Sequence, residues 1–144
     1  MTEVQTFKQA VLKHAQFMGW DTSENIEDEY AGFSFELEEG GEVDLAFFLN
    51  EDRVDISVSG QIVLDAEEDI PDDFSTLLLR RSDDLMYGAW TMAETETEKF
   101  QYRLLWTLEL DYFAQIDSEK LSTVLDAMME EASEVDKIWE EGPY

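Results

Sequence analysis

Phe100-Gln101-Tyr102-Arg103-Leu104-Leu105-Trp106-Thr107-Leu108-Glu109-Leu110 is the stretch whose reading decides the fold. Phe100, Tyr102, Leu104, Trp106, Leu108 and Leu110 occupy every second position, while Gln101, Arg103, Thr107 and Glu109 fill the alternate ones. Side chains two apart in a strand share a face, so this run predicts a long strand with one buried and one solvated side. Leu105 is the single apolar residue on the polar side. A sheet with one apolar face needs a cover.

Towards the N-terminus, Met86, Gly88, Trp90 and Met92 alternate with Tyr87, Ala89, Thr91 and Ala93. This predicts a hairpin partner joined by a polar loop over residues 94–99. Pro71 followed by Asp72 and Asp73 suits a helix start. That helix places Phe74, Leu77, Leu78 and Arg81 on one side and stops near residues 82–84. Residues 65–73, with six acids in nine positions, form a solvated connection. Val54, Ile56, Val58, Ile62 and Leu64 keep one parity with Gly60 in phase, which predicts one long strand bent or bulged at Gly60. Val43, Leu45, Phe47 and Leu49 form another strand, and Phe33, Phe35 and Leu37 a third. Their turns are Asn50-Glu51-Asp52 and Glu38-Glu39-Gly40-Gly41, giving an antiparallel meander.

The helical period marks both ends of the chain. Val4, Phe7, Val11, Ala15 and Met18 recur every three or four residues, and Gly19 stands where a C-terminal cap belongs. Asp117 or Ser118 starts a closing helix that runs to about Glu141, with Leu121, Val124, Leu125, Met128, Ala132, Val135 and Trp139 as its stripe. The expected order is α-β-β-β-α-β-β-α, a single α+β domain over residues 1–144 whose antiparallel sheet is covered by helices.

Thirty-six acidic residues against nine basic ones give a net charge of −27. Four Trp, five Tyr and nine Phe supply a core that a disordered acidic chain would lack. The charge argues against binding nucleic acid or an anionic membrane. No apolar run is long enough to span a bilayer and no signal peptide is evident at the N-terminus, so a cytoplasmic protein is expected. With no cysteine, disulfides, thiol catalysis and thiolate metal sites are excluded. The one histidine, His14, rules out multi-histidine sites and reads as structural on the first helix. Neither a calcium-loop spacing nor a glycine-rich phosphate loop is present. The sequence therefore implies no enzyme, no metal and no cofactor, and a protein-binding module remains. An acidic nucleic-acid mimic acting on a DNA-binding protein is the alternative, followed by a carboxylate- or metal-dependent enzyme.

Some apolar residues fall outside the stripes. Leu79 follows Leu78 and so projects about 100° away from it on a helix. Met129 is adjacent to Met128, and methionine is over-used on adaptable binding surfaces. Leu79, Leu105, Met129 and Ile138, with the cations Arg80 and Arg81, are the candidate protein-interface residues.

Leu77-Leu78-Leu79-Arg80-Arg81-Ser82, Met86-Tyr87-Gly88-Ala89-Trp90 and Asp117-Ser118-Glu119-Lys120-Leu121, taken with the element order, resemble the type III secretion chaperone fold. Two groups share that fold, the class I (CesT-like) secretion chaperones and the YbjN-like proteins, and the local match is nearer the latter. Ser82 stands where Asn is expected. The resemblance implies a small, acidic, cytoplasmic homodimer without enzymatic activity, which engages a polypeptide client or has a regulatory role.

A net charge of −27 on one domain is self-repelling, and added ions screen it. The melting temperature should rise between low salt and roughly 0.15 M, where the Debye length is about 8 Å. A flat or falling curve in differential scanning fluorimetry would show that the charges are already paired.

Overall fold

A computed structural model describes residues 1–23, 25–37 and 40–143. Helix α1 (Glu3–Met18) starts at Thr2, whose hydroxyl accepts the Gln5 N–H at 3.1 Å while the Gln5 side chain accepts the Thr2 N–H at 2.9 Å. This reciprocal pair satisfies backbone donors that the first turn leaves free. The helix ends at Gly19, whose φ of 75° lies in the left-handed region that glycine enters without strain. Phe7, Ala10, Val11, His14 and Ala15 are buried.

Six strands form one antiparallel sheet: β1 (Tyr30–Glu36), β2 (Glu42–Asn50), β3 (Arg53–Ser59), β4 (Val63–Leu64), β5 (Ala89–Glu94) and β6 (Phe100–Glu109). The expected meander is β1-β2-β3, with Gly40 and Gly41 both at φ 89° in the first turn. Glu38 and Glu39, the other half of that turn, lie outside the described residues. From β3 to β4, Val58 pairs with Leu104 and Val63 with Gln101. Five steps on that side face three on β6, so two extra residues are accommodated around Gly60 (5 − 3 = 2). The long bulged strand is present as β3 and β4. Since β5 takes the other edge of β6, the order across the sheet is β1, β2, β3 with β4, β6, β5.

The register builds one apolar row across every layer of the sheet. Phe33 lies opposite Leu45, Leu45 opposite Val58, Val58 opposite Leu104, and Leu104 opposite Trp90, and all five are buried. Helix α4 (Ser118–Glu141) and α1 cover this face. Asp117 caps α4 by accepting the Glu119 N–H at 2.8 Å. An aromatic chain runs through the core from Phe7 to Phe113, Phe47, Phe33 and Trp20, with successive ring centroids 4.9 to 6.5 Å apart.

Two local expectations are corrected. The strand stops at Glu109 and does not include Leu110: Arg53 with Glu109 is the last ladder pair, and the Leu110 N–H reaches the Asp52 carbonyl at 2.8 Å in the turn before β3. Leu110–Gln115 instead forms a short helix, α3, that buries Leu110 and Phe113. The hairpin strand β5 begins at Ala89, not Met86; Gly88 turns at φ 80° and Met86 is 85% exposed. Met92 shares the parity of Trp90 on the edge strand β5 but is 37% exposed. Helix α3 also explains His14. Its Nε2–H donates to the Phe113 carbonyl at 2.8 Å, and its Nδ1 then accepts the Ser118 hydroxyl at 2.7 Å. Burial lowers its pKa, so the ring stays neutral and pins α1 to the α3–α4 junction.

At the bulge, both carboxylate oxygens of Asp136 lie 3.1 Å from the Gln61 N–H, and the carboxylate rests against Gly60 where a Cβ would collide with it. Burial and the nearby Glu140 raise the Asp136 pKa to about 6, opposed by the Gln61 hydrogen bond. A carboxyl group whose folded pKa is raised binds its proton more tightly in the native state. The stability it contributes is fully present below its ordinary value of 3.8 and is lost as pH rises through about 6. His14 works in the opposite sense, because its lowered pKa removes stability as pH falls below 6.5. Asp136→Asn should therefore stabilise the protein at pH 7.5 and leave it unchanged near pH 4. The difference in unfolding midpoint between variant and wild type, followed across pH, isolates this group.

Candidate protein-interface site

Helix α2 (Asp72–Asp84) carries the cluster of candidate interface residues, and its inward face determines how they are presented. Phe74 and Leu78 are buried, with Phe74 edge-on to Trp139 at 4.9 Å and to Tyr102 at 5.4 Å between ring centroids. Ser75 and Tyr102 share a hydrogen bond of 3.0 Å. Ser82 donates its hydroxyl to the Leu78 carbonyl at 2.9 Å and accepts the Trp90 N–H at 2.8 Å, which ties α2 to the outer edge of β5.

Arg81 and Trp90 converge on Glu131 of α4. Arg81 Nε donates to Glu131 Oε2 at 3.0 Å, and Arg81 Nη2 donates to Oε1 at 2.5 Å. Trp90 Nε1 donates to the same Oε2 at 2.9 Å. Glu134 adds a longer ion pair to Arg81 at 3.4 Å. The guanidinium is only partly exposed, and its hydrogen bond to Glu131 raises its already high pKa. Two parallel N–H···O contacts between planar groups fix both side chains in one geometry.

The six candidate residues do not form one patch. Leu79 and Arg80 lie together on the outer face of α2, beside Asp72, Thr76 and Asp83, and Leu79 is 69% exposed. Arg81 faces inward to Glu131. Leu105 is half-buried on the sheet face that no helix covers, opposite Ser57 and Ala89. Met129 is half-buried on α4, beside Leu37 in an open depression. Ile138 packs against the core further along α4.

Glu131 and Trp90 carry the geometry of the site but were not among the candidates. The sequence does hold a signal for Glu131, which sits three residues after Met128 and four before Val135, within the apolar stripe. An acid on the buried stripe of a helix calls for a partner. Among the described residues no group of three or more His, Cys, Asp or Glu is placed to hold a metal, and no helix is long and apolar enough to cross a membrane.

No protein-family model matches this chain, and no curated protein matches it by sequence. Among solved structures, a chain from the crystal structure of the ExsC–ExsE complex superposes with a TM-score of 0.51 at 16% sequence identity, over 92% of each chain. At that identity the likeness is one of fold. The chain has an α+β architecture with a curled antiparallel sheet and helices, a type III secretion chaperone-like fold.

Glu131→Gln should cost about 3 kcal/mol in urea unfolding, the lower end for breaking a buried ion pair because Arg81 keeps some contact with water. Arg81→Met alone should cost a similar amount by stranding the Glu131 carboxylate. Combining Arg81→Met with Glu131→Gln should cost less than the sum of the two single changes, and an additive result would mean the pair is not coupled.

Proposed function

We propose that this protein is a non-enzymatic binding module, chaperone-like or regulatory, that acts in the cytoplasm as a homodimer on a polypeptide partner. The observation that carries the reading is the fold. Its likeness runs over nearly the whole chain to one solved within the ExsC–ExsE complex. The residue pattern in Leu77–Ser82 and Met86–Trp90 favours the YbjN-like group over the secretion chaperones.

The outer face of α2 is the surface best suited to a second copy. Arg81 holds one side of the helix against Glu131, so Leu79, two positions earlier and about 200° around, is turned outward. In a two-fold arrangement Leu79 meets its own counterpart, and the contact is self-complementary. Arg80 then lies against the acidic last turn of the second copy's α2, where Asp83 and Asp84 are exposed. Opposite charges meet there between protomers that otherwise repel.

Leu79→Asp should yield monomers by multi-angle light scattering while the far-ultraviolet circular dichroism stays unchanged. Arg80→Glu should weaken the dimer and make it more salt-dependent. A wild type that is monomeric at micromolar concentration, or a Leu79→Asp variant that remains dimeric, rules out this interface.

A further inference from the structure

We infer that the sheet face left bare by the helices is a docking groove for a basic, extended polypeptide segment. This rests on the polypeptide-binding reading above and gives it a place and a chemistry. The face has an open depression of about 430 Å³ across β1, β2, β3 and β6. Its floor is built from small side chains in register: Gly32 lies opposite Ala46, and Ala46 opposite Ser57. Ser59 is placed next along β3, opposite Asp44.

The serines point to a ligand. Ser57 and Ser59 are 5% and 6% exposed, and neither hydroxyl has a hydrogen-bond partner among the described residues. No fully buried polar side-chain atom among the described residues lacks a partner, so both hydroxyls open onto the groove. Each hydroxyl is therefore free to bond a group lying in the groove. Same-face residues two apart on a strand are separated by about 6.7 Å, at 3.2–3.4 Å of rise each. Alternate carbonyls of an extended chain laid along β3 repeat at the same distance. Arg103 lines the same groove, bonds Gln101 through Nε at 3.1 Å, and makes no ion pair among the described residues. It is a further donor for a backbone carbonyl.

The charge around this floor sets the side chains of the occupant. Glu27 and Asp44 line the groove, and Glu94 and Glu96 from the β5–β6 hairpin line its continuation, where Arg103 is the sole cation among the described residues. Four carboxylates against one guanidinium favour Lys and Arg in the bound segment. Tyr30 and Phe48, with ring centroids 5.1 Å apart, line the groove, the Tyr30 ring lying over Gly32, and offer aromatic faces to the same cations.

The test is an NMR and calorimetric titration of the full chain with a 12-residue synthetic peptide alternating Lys and Val, and with its Glu-for-Lys counterpart. The Lys peptide is expected to bind with amide shifts centred on Ser57, Ser59 and Arg103, and the Glu peptide not to bind. Asp44→Lys should weaken the Lys peptide at least tenfold, whereas Glu67→Lys, away from the groove, should change it less than twofold. If Asp44→Lys fails to fold, Ser57→Val carries the same comparison. Shifts spread evenly over the surface, equal losses in the two charge reversals, or no binding at millimolar peptide would overturn the groove. Peptide shifts confined to α2 or α4 would also overturn it while leaving the polypeptide-binding reading intact. A monomeric wild type that still shows the expected shifts would sink the dimer and spare the groove.

Discussion

The Glu131 carboxylate accepts three hydrogen bonds from two elements, Arg81 on α2 and Trp90 on β5, and much of the molecule's surface follows from that contact. It is the one buried acid among the described residues of a chain carrying 36. Taking a carboxylate out of water costs several kcal/mol unless it is paired and fully hydrogen-bonded. Arg81 and Trp90 meet that requirement together. The bidentate geometry leaves α2 little freedom to rotate about its axis, and so holds the orientation in which Phe74 and Leu78 are buried and Leu79 and Arg80 look outward.

The two faces of the sheet divide the work. On one side the row Phe33, Leu45, Val58, Leu104 and Trp90 is buried under α1 and α4. On the other side, the adjacent positions are Gly32, Ala46 and Ser57, too small to build a second core. This asymmetry leaves an open depression lined by the Ser57 and Ser59 hydroxyls and by the Glu27 and Asp44 carboxylates. In a protein of net charge −27, the same surface charge that is self-repelling would favour cationic segments at the proposed groove.

Much of the architecture was legible without the structure because it depends on short-range periodicity. Alternation located β6, β2 and the strand bulged at Gly60. Three- and four-residue spacing located α1, α2 and α4, and Gly19 and Asp117 marked helix ends by their own backbone and capping chemistry. The exposure of Leu79 follows from its step of about 100° past Leu78. These features are determined within a few residues of one another, so the chain carries them locally.

What only the tertiary structure decided are the pairings between distant residues. Leu110 continues the alternation of β6, but the β3 ladder ends opposite Glu109, the Leu110 N–H bonds the Asp52 carbonyl of the β2–β3 turn, and from there the backbone turns into α3. Arg81 looks like any surface cation until Glu131, fifty residues later, is brought against it. Ser57 and Ser59 look like ordinary polar positions of a solvated strand face, yet the curled sheet buries them as the floor of a groove. Sequence pattern records which face a residue occupies, since that depends on the helical or strand period of its own segment. Which partner it meets across the fold depends on strand register, sheet curvature and helix rotation, and these are properties of the packed chain as a whole.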